Sequence, residues 1–356
     1  MSVYEHPDFD SHENVLFATD EASGLKAILA VHSTARGPAV GGCRMWTYAS
    51  STDALTDVLR LSQGMSFKNV MADLPIGGGK SVIMKPDGEF DRKALFEAFG
   101  RALNALNGEY MSAEDVGTSP ADIQHAHRIT QHVVGLPGGT GDPSPVTAKG
   151  VYLGIEASVE RALGKSSLAG VKIAVQGATG HVGEYLVRRL AKAGAELFLA
   201  DIREPELKAL AGDVGAVIVE DPDAIYDVEA DVFTPCALGA IINPSTIDRL
   251  KVKVVAGAAN NQLQTREMGA ELQKRGILYA PDYVINAGGI INVMGDIDPK
   301  FDSVWVEGKL VTLKATLGEI FDLADKEGRP ANIVADEIAR RRLQRAADAK
   351  GHDEAA

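Results

Sequence analysis

The arrangement of apolar and polar residues predicts that strand-like and helix-like segments alternate in the first part of the chain. LKAILAVHST (25–34) is typical of a strand, and STDALTDVLRLSQGM (51–65) has helical apolar spacing behind a serine or threonine cap. KSVIM (80–84) predicts another short strand. Two further helices are predicted over DRKALFEAFGRALNALNG (91–108) and SPADIQHAHRITQHVVG (119–135), the second of which begins with serine and proline.

A glycine- and proline-rich segment, GLPGGTGDPSP (135–145), interrupts both periodicities and marks a predicted domain boundary. Beyond it the pattern becomes strand, glycine turn and helix, beginning with VKIAVQG, HVGEYLVRRLAKAG and AELFLAD. Continuous apolar strands separated by helices favour a parallel sheet covered on both faces. We therefore predict an α/β protein with domains at 1–140 and 141–330, followed by a closing helix at about 331–356 that could pack back on the first domain.

Composition narrows the class of protein. The 356 residues suffice for two domains with their own cores. The 49 acidic and 36 basic residues give a net charge of −13, which disfavours a nucleic-acid partner. No apolar run approaches the length of a membrane span, and the only cysteines, Cys43 and Cys236, suit a reducing compartment. These features predict a cytoplasmic protein without a membrane partner.

Two motifs could indicate a phosphate-binding loop and a metal site, but the spacing of their residues argues against both. Gly79-Lys80-Ser81 could end a phosphate-binding P-loop, but the glycine that this motif requires five residues earlier is replaced by Leu74. His125, His127 and His132 fall in one predicted helix, but the first two point to different faces of it. We expect neither a nucleoside-triphosphatase nor a metal site.

The glycines between the first strand and helix of the second domain predict a dinucleotide site. Gly177, Gly180 and Gly183 form G-x-x-G-x-x-G, one residue longer than the usual G-x-G-x-x-G pattern. Small residues here allow a pyrophosphate to approach the helix N-terminus. Asp201 ends the next strand, where a carboxylate can accept hydrogen bonds from the ribose hydroxyls. It favours NAD over NADP, although Arg203 lies nearby.

Lys68, Lys80 and Asp115 are candidates for amine chemistry. Oxidising an amino acid by removing a hydride from its α-carbon requires three groups. A cation holds the carboxylate, a base takes protons from the ammonium group and from the attacking water, and an acid helps ammonia to leave. A lysine can act as a base only if its pKa is lowered, and burial beside a second cation has that effect. The alternative interpretations are that Lys68 and Lys80 lie on the surface and that Asp115 caps the helix beginning at Pro120.

Eight ordered motifs resemble the glutamate/leucine/phenylalanine/valine dehydrogenases, most of all their leucine-type members, over roughly residues 13–345. They are PAVGGCRM, GMSFKN, LPIGGGKS, SAEDVGT, GDPSPVTAKGVY, DVFTPCALGAIIN, VVAGAANNQL and ILYAPDYVINAGGIINV. The resemblance implies an N-terminal α/β domain for substrate binding and oligomerisation and a Rossmann-type, doubly wound nucleotide-binding domain. It also implies a homo-oligomer, with an octamer favoured, and reversible conversion of an L-amino acid, NAD+ and water to a 2-oxo acid, ammonium and NADH.

Roles follow by position from this resemblance. Lys80 and Asp115 resemble the catalytic lysine and the proton-transferring aspartate, while Lys68 and Asn261 resemble the residues that hold the substrate carboxylate. The glycines before Lys80 are expected to let the backbone pass close to the substrate. The remaining predicted substrate contacts are Val40, Gly41, Gly42, Met65, Ala113, Ile290 and Val293. The predicted cofactor contacts are Thr147, Gly177, Ala178, Thr179, Gly180, His181, Val182, Gly183, Asp201, Ala237 and Asn260.

Val40 argues for an apolar substrate. Glutamate-specific members of the family carry a lysine immediately before the Gly-Gly of G-G-x-R, whereas this chain has Val40 before Gly41 and Gly42. An anionic side chain would therefore be buried without a partner. Leucine, valine or isoleucine fits best, with phenylalanine or tryptophan as alternatives. The rivals from other classes are a catalytically inactive NAD-binding sensor and a 2-hydroxy-acid dehydrogenase, although the lysine pair suits an amine better.

Overall fold

The computed structural model describes residues 2–354, and the chain divides into two compact units. The first unit comprises the residues up to Gly141, Val293–Lys300 and the residues from Ala339 onward. The second comprises Asp142–Asn292 and Phe301–Ile338. The sequence predicted domains at 1–140 and 141–330, whereas the structure assigns the short segment Val293–Lys300 to the first unit.

The first unit is built on a mixed five-stranded sheet with the spatial order β1-β2-β4-β3-β5. Its strands are β1 (Asn14–Asp20), β2 (Leu25–Ser33), β3 (Ala39–Trp46), β4 (Gly77–Met84) and β5 (Tyr110–Glu114). The central β3 is parallel to both β4 and β5, whereas β2 is antiparallel to β1 and β4. The carboxyl ends of β3, β4 and β5 therefore lie at the same edge.

Helices cover both faces of this sheet. They are α1 (Ser51–Met71), α2 (Arg92–Asn104) and α3 (Pro120–His127). Ser50, Asp91 and Ser119 each cap one of these helices through a side-chain oxygen. On one face, apolar residues of α2 and α3 join a core with β2, β3 and β4, and on the other face α1 packs against β2 and β4.

The second unit contains a six-stranded, fully parallel sheet in the order β11-β10-β9-β6-β7-β8. Its strands are β6 (Lys172–Gln176), β7 (Glu196–Ala200), β8 (Val217–Ile218), β9 (Val232–Pro235), β10 (Val254–Val255) and β11 (Leu278–Tyr279). Numbered within the unit, this order is 6-5-4-1-2-3, the doubly wound topology of dinucleotide-binding domains. The predicted fold class is thus confirmed, with the topological switch point between β6 and β9.

Eight helices follow in chain order from the start of the second unit. They are α4 (Ser144–Leu163), α5 (His181–Lys192), α6 (Glu204–Val214), α7 (Met268–Lys274), α8 (Asp282–Ile285), α9 (Gly288–Ile297), α10 (Ser303–Glu327) and α11 (Ala331–Glu354). Short 3-10 turns occur at Val3–Glu5, Pro222–Asp227 and Ile247–Arg249. Within the described part of the chain, none of the helices is both long and apolar enough to cross a membrane.

The helix predicted over 119–135 is too long. It ends at His127, and the chain then turns so that the carbonyl of His132 accepts a hydrogen bond from the backbone N–H of Ser112, beside β5. His132 therefore does not share a helix with His125 and His127. Pairing with the edge of the sheet overrides the helical apolar spacing beyond position 127.

Candidate active site

Lys80 and Asp115 form an ion pair within the first unit. Lys80 lies in the middle of β4 with its side chain 7% exposed, and its Nζ is 3.0 Å from Asp115 Oδ1. Asp115 immediately follows β5, on the far side of β3. The two parallel strands that flank β3 thus bring together two residues that are 35 positions apart in the sequence.

Asp115 does not cap the helix that begins at Pro120, because Ser119 fills that position. The turn after β5 is instead fixed by Thr118, whose Oγ1 accepts the Asp115 backbone N–H at 2.9 Å and donates to the Cys43 carbonyl at 2.9 Å. Burial alone would raise the pKa of Asp115, but the charges and hydrogen bonds of Lys80 and Arg44 outweigh it and hold the pKa below its usual value. Asp115 is therefore an anion that can accept a proton.

Arg44 is the second partner of Asp115, a role that the sequence motifs did not predict. Its Nε donates to Asp115 Oδ2 at 3.0 Å, and its Nη1 donates to Asp57 Oδ2 at 3.1 Å. Tyr48 donates its hydroxyl to the same Asp57 oxygen at 2.7 Å. The available signal was an arginine in the otherwise apolar or glycine-rich β3, since a charged residue in such a strand needs a partner.

The three glycines before Lys80 are required by packing within the protein. A β-carbon at Gly77 would lie 2.0 Å from the Ser33 carbonyl oxygen, one at Gly78 would lie 2.1 Å from the Ser66 nitrogen of α1, and one at Gly79 would lie 2.7 Å from the Tyr110 ring. The expectation that they admit substrate is therefore incomplete. Their main structural effect is to bring α1, β2 and β5 close to β4.

Several of the predicted substrate residues of the first unit lie on β3, β5 and α1, and Gly42 is next to Asp115 of the ion pair. Ala113 pairs in register with Gly42, and a β-carbon at Gly42 would lie 2.8 Å from Asp115 Cβ. A β-carbon at Gly41 would lie 3.3 Å from Met65 Cγ. Lys68, half-buried, follows Met65 by three residues on α1 and so shares its side of the helix.

Val40 and Val293 are placed differently. Val40 is fully buried in β3, where it pairs with Gly78 and Met111. Val293 is half-buried on α9, three residues before Asp296, whose carboxylate accepts the backbone N–H groups of Gly135 at 3.2 Å and Thr140 at 2.6 Å. Asp296 thereby ties this end of α9 to the loop after Val133.

In the second unit, the lengthened glycine turn is tightly closed against its neighbours. Gly177 has φ +74°, and a β-carbon there would lie 2.8 Å from Ala237 Cβ. A β-carbon at Gly183 would lie 2.1 Å from the Gly177 carbonyl oxygen. Gly180 precedes α5 without a side-chain cap, so His181 and Val182 begin the helix with backbone N–H groups available to an anion.

Asp201 is connected to the inserted part of this turn. It is 9% exposed, and its Oδ2 accepts the Thr179 backbone N–H at 2.9 Å, next to the fully buried Ala178. Its Oδ1 accepts the Arg203 backbone N–H at 3.1 Å. Burial raises the pKa of Asp201, but hydrogen bonds led by that from Thr179 outweigh it and lower the pKa below its usual value. The Asp201 carboxylate, directly after β7, thus fixes the glycine turn through its hydrogen bond with Thr179.

The other predicted residues of the second unit lie on the loops after neighbouring strands and on α4 and α9. Asn260 Oδ1 accepts from Asn286 Nδ2 at 2.9 Å, and Asn261, with φ +51°, accepts the Ala240 N–H through its carbonyl at 2.7 Å. Thr147 donates its hydroxyl to the Pro143 carbonyl at 3.0 Å, and Ile290 is half-buried on α9. The loops that carry Gly177, Ala237 and Asn260 follow β6, β9 and β10 at the carboxyl edge of the sheet, where doubly wound domains bind ligands.

Comparison with known proteins places these features in one family. Residues 12–132 match the model of the Glu/Leu/Phe/Val dehydrogenase dimerisation domain, and residues 199–309 match that of glutamate/leucine/phenylalanine/valine dehydrogenase. The chain is 45% identical to leucine dehydrogenase of Thermoactinomyces intermedius over 97% of this chain and 94% of the relative. It is 43% identical to phenylalanine dehydrogenase of Bacillus thermotolerans over 94% and 88% of the two chains.

A solved structure agrees with these sequence comparisons. The crystal structure of L-tryptophan dehydrogenase from Nostoc punctiforme matches with a TM-score of 0.84 and 39% identity, covering 94% of this chain and 97% of that one. The glycine turn at 177–183 lies outside both matched segments of the family models.

Proposed function

This chain belongs to the Glu/Leu/Phe/Val dehydrogenase family, and we propose that it catalyses reversible NAD-dependent oxidative deamination of an apolar L-amino acid. The reaction converts the amino acid, NAD+ and water to a 2-oxo acid, ammonium, NADH and a proton. The observation that carries the proposal is the pairing of the buried Lys80 with the half-buried Asp115, because this chemistry needs a base and an acid beside one carbon atom. Leucine, valine and isoleucine are the favoured substrates.

The residues around the pair supply the proton transfers. In the direction of deamination, Asp115 accepts the proton that the substrate ammonium group gives up, and Lys80 accepts a proton from the water that attacks the α-carbon after the hydride has left. Asp115 exchanges protons with the reacting nitrogen as ammonia leaves, which suits an anion already placed 3.0 Å from the lysine. Lys68 is proposed to hold the substrate carboxylate, so that a permanent charge interaction orients the α-carbon.

The residues of the second unit fit NAD. Gly177 and Gly183 have no β-carbon, so the turn can pack closely. The start of α5 offers backbone N–H groups to a pyrophosphate. Asp201 presents an anion at the end of β7, which favours ribose hydroxyls and repels a 2'-phosphate. When bound, NAD+ accepts the hydride from the α-carbon. We therefore propose NAD as the cofactor and NADP as a poor substitute.

Substrate preference follows from the apolar side chains around the pair. Identity does not separate the candidates, because the values for the leucine- and phenylalanine-specific relatives, 45% and 43%, are nearly equal. Val40 is fully buried and offers no charge to a glutamate side chain, which would lose its solvation without a partner. Met65, Ala113 and Val293 are the other apolar groups of the first unit proposed to face the substrate, and we favour a branched aliphatic side chain over phenylalanine or tryptophan.

We also propose that the chain assembles as a homo-oligomer in the cytoplasm. The matched N-terminal model is described as a dimerisation domain, which supports self-association through the first unit. An octamer is the proposed assembly. Both cysteines are free thiols in the structure, as suits a reducing compartment.

A panel of L-amino acids tests this function. The wild-type enzyme is incubated with leucine, valine, isoleucine, phenylalanine, tryptophan or glutamate, each with NAD+ and with NADP+, and reduction of the nicotinamide is followed by absorbance. We expect turnover of the branched-chain substrates with NAD+. Preference for an aromatic substrate would contradict only the pocket argument. NAD+ binding with no turnover of any amino acid would instead support the inactive-sensor alternative.

A further inference from the structure

Arg44 is placed to control the geometry of Asp115. The two carboxylate oxygens are divided between two cations, Oδ1 to Lys80 and Oδ2 to Arg44, each at 3.0 Å. An aspartate with lysine as its only cationic partner can rotate and offer either oxygen to it. The planar guanidinium forms a directional bond to one oxygen and leaves the other for Lys80.

Arg44 is itself held from a second side. Its Nη1 lies 3.1 Å from Asp57 Oδ2, and Tyr48 donates to that same oxygen at 2.7 Å. Asp57 and Lys68 both belong to α1 and are separated by about three helical turns, so they lie on nearly the same face of it. The helix face that carries the proposed carboxylate-binding lysine therefore also carries the anchor of Arg44.

We propose that Arg44 is a positioning residue for the reaction: it aligns Asp115 with Lys80 and couples that alignment to α1 through Asp57. The proposal rests on the proposed dehydrogenase function. Arg44 is proposed to act on the reaction through Asp115, without touching substrate or cofactor. A lysine at position 44 could keep the charge but could not form directional bonds to Asp115 and Asp57 at once.

Several ionisable groups besides Arg44 affect the protonation of Asp115. They are Lys80 on β4, Cys43 on β3, Glu114 on β5 and Tyr48 after β3, while Asp57 on α1 interacts with Arg44. Lys80 and Arg44 are the cations that lower the pKa of Asp115. Removing Arg44 takes one positive charge away from the Lys80–Asp115 pair and so favours the protonated forms of the pair, which should move the acid limb of the pH profile to higher pH.

The test compares R44M, R44K and D57N with wild type under steady-state conditions, using the amino acid that the wild type prefers. For R44M we expect kcat to fall roughly 10- to 100-fold, because small misplacements of catalytic groups have such effects. The acid limb of kcat/KM should move to higher pH. KM for the amino acid should change less than threefold, and the Kd for NAD+, measured by calorimetry, should remain unchanged.

The other variants keep the proposal testable if R44M folds poorly. R44K should keep the wild-type acid limb while recovering only part of kcat, and D57N should shift kcat in the same direction as R44M by a smaller factor. R36M is the matched control, because Arg36 is also half-buried and pairs with a carboxylate, Asp73, but makes no contact with Asp115. It should retain wild-type kinetics.

Two results would overturn the proposal. One is an R44M enzyme with wild-type kcat and pH profile. The other is loss of activity in R44M with an unmoved acid limb and no recovery in R44K, which would indicate a purely structural role. Absence of amino-acid turnover in the wild type would instead refute the proposed function, so the two failures are distinguishable.

Discussion

Replacing Gly42 with alanine should separate Asp115 from Lys80 without altering a charged residue. The added β-carbon would lie 2.6 Å from the Glu114 carbonyl oxygen and 2.8 Å from Asp115 Cβ. Ordinary van der Waals contact begins near 3.4 Å, so the end of β5 must move by about 0.6 to 0.8 Å. Both cations bind Asp115 at 3.0 Å, and a shift of this size weakens both contacts. We expect kcat to fall roughly 30- to 100-fold.

The assay is steady-state nicotinamide reduction by G42A, together with the Kd for NAD+ and the thermal midpoint. NAD+ binding should be unchanged, because the residues proposed to bind the cofactor belong to the other unit. G318A is the matched control: Gly318 lies within α10, and no atom comes within 4 Å of its added β-carbon. That variant should keep wild-type kcat and gain up to about 1 kcal/mol in stability. A G42A enzyme with kcat within threefold of wild type would refute the steric reasoning.

Three further predictions address the cofactor turn, the substrate pocket and the C-terminal helix. D201N should weaken NAD+ binding by about tenfold, since hydrogen bonds to charged groups contribute about 1.5–3 kcal/mol. At neutral pH, D201N should also have a lower free energy of unfolding than the wild type. This difference should shrink as the pH falls below the usual aspartate pKa towards the lowered pKa of Asp201 in the folded protein. Denaturant titrations at several pH values measure it, and a difference that does not change with pH would contradict the prediction. A113G should raise kcat/KM for phenylalanine relative to leucine by about tenfold, within the 1–3 kcal/mol typical of one methylene, and an unchanged ratio would place Ala113 outside the pocket. R340M should lower the free energy of unfolding by about 1 kcal/mol with kcat unchanged, because Arg340 pairs with Asp10 at 2.6 Å and lies 5.2 Å from the Phe67 ring centre; an unchanged urea midpoint would contradict it.

The second unit was predictable because its local signals agree with one another. The apolar strands, the glycine turn and the acidic residue after β7 all indicate a doubly wound parallel sheet, and the strand order follows that rule. The ordered motifs likewise identified the family. Lys80 and Asp115 could be named as partners because the chemistry needed a base and a carboxylate, even though they come from different strands.

Other features depend on packing that no short segment encodes. The partnership of Arg44 with Asp115 and Asp57 joins β3, the turn after β5 and α1, so spacing along the chain does not reveal it. The competing cap assignment for Asp115 failed because Ser119 is closer to the helix start and its hydroxyl accepts the N–H of Asp122. The overlong helix prediction failed because Ser112 offers a sheet-edge partner to the residues after His127.

The central claim is that Lys80 is the base of an amino-acid dehydrogenase. Its most direct test is K80A, assayed for turnover of the preferred amino acid alongside the Kd for NAD+. General acid–base catalysis contributes about 10²- to 10⁴-fold, so turnover should fall by roughly 10³-fold or more while the Kd for NAD+ stays within about twofold of wild type. A K80A enzyme that still oxidises the amino acid at close to the wild-type rate would contradict the account.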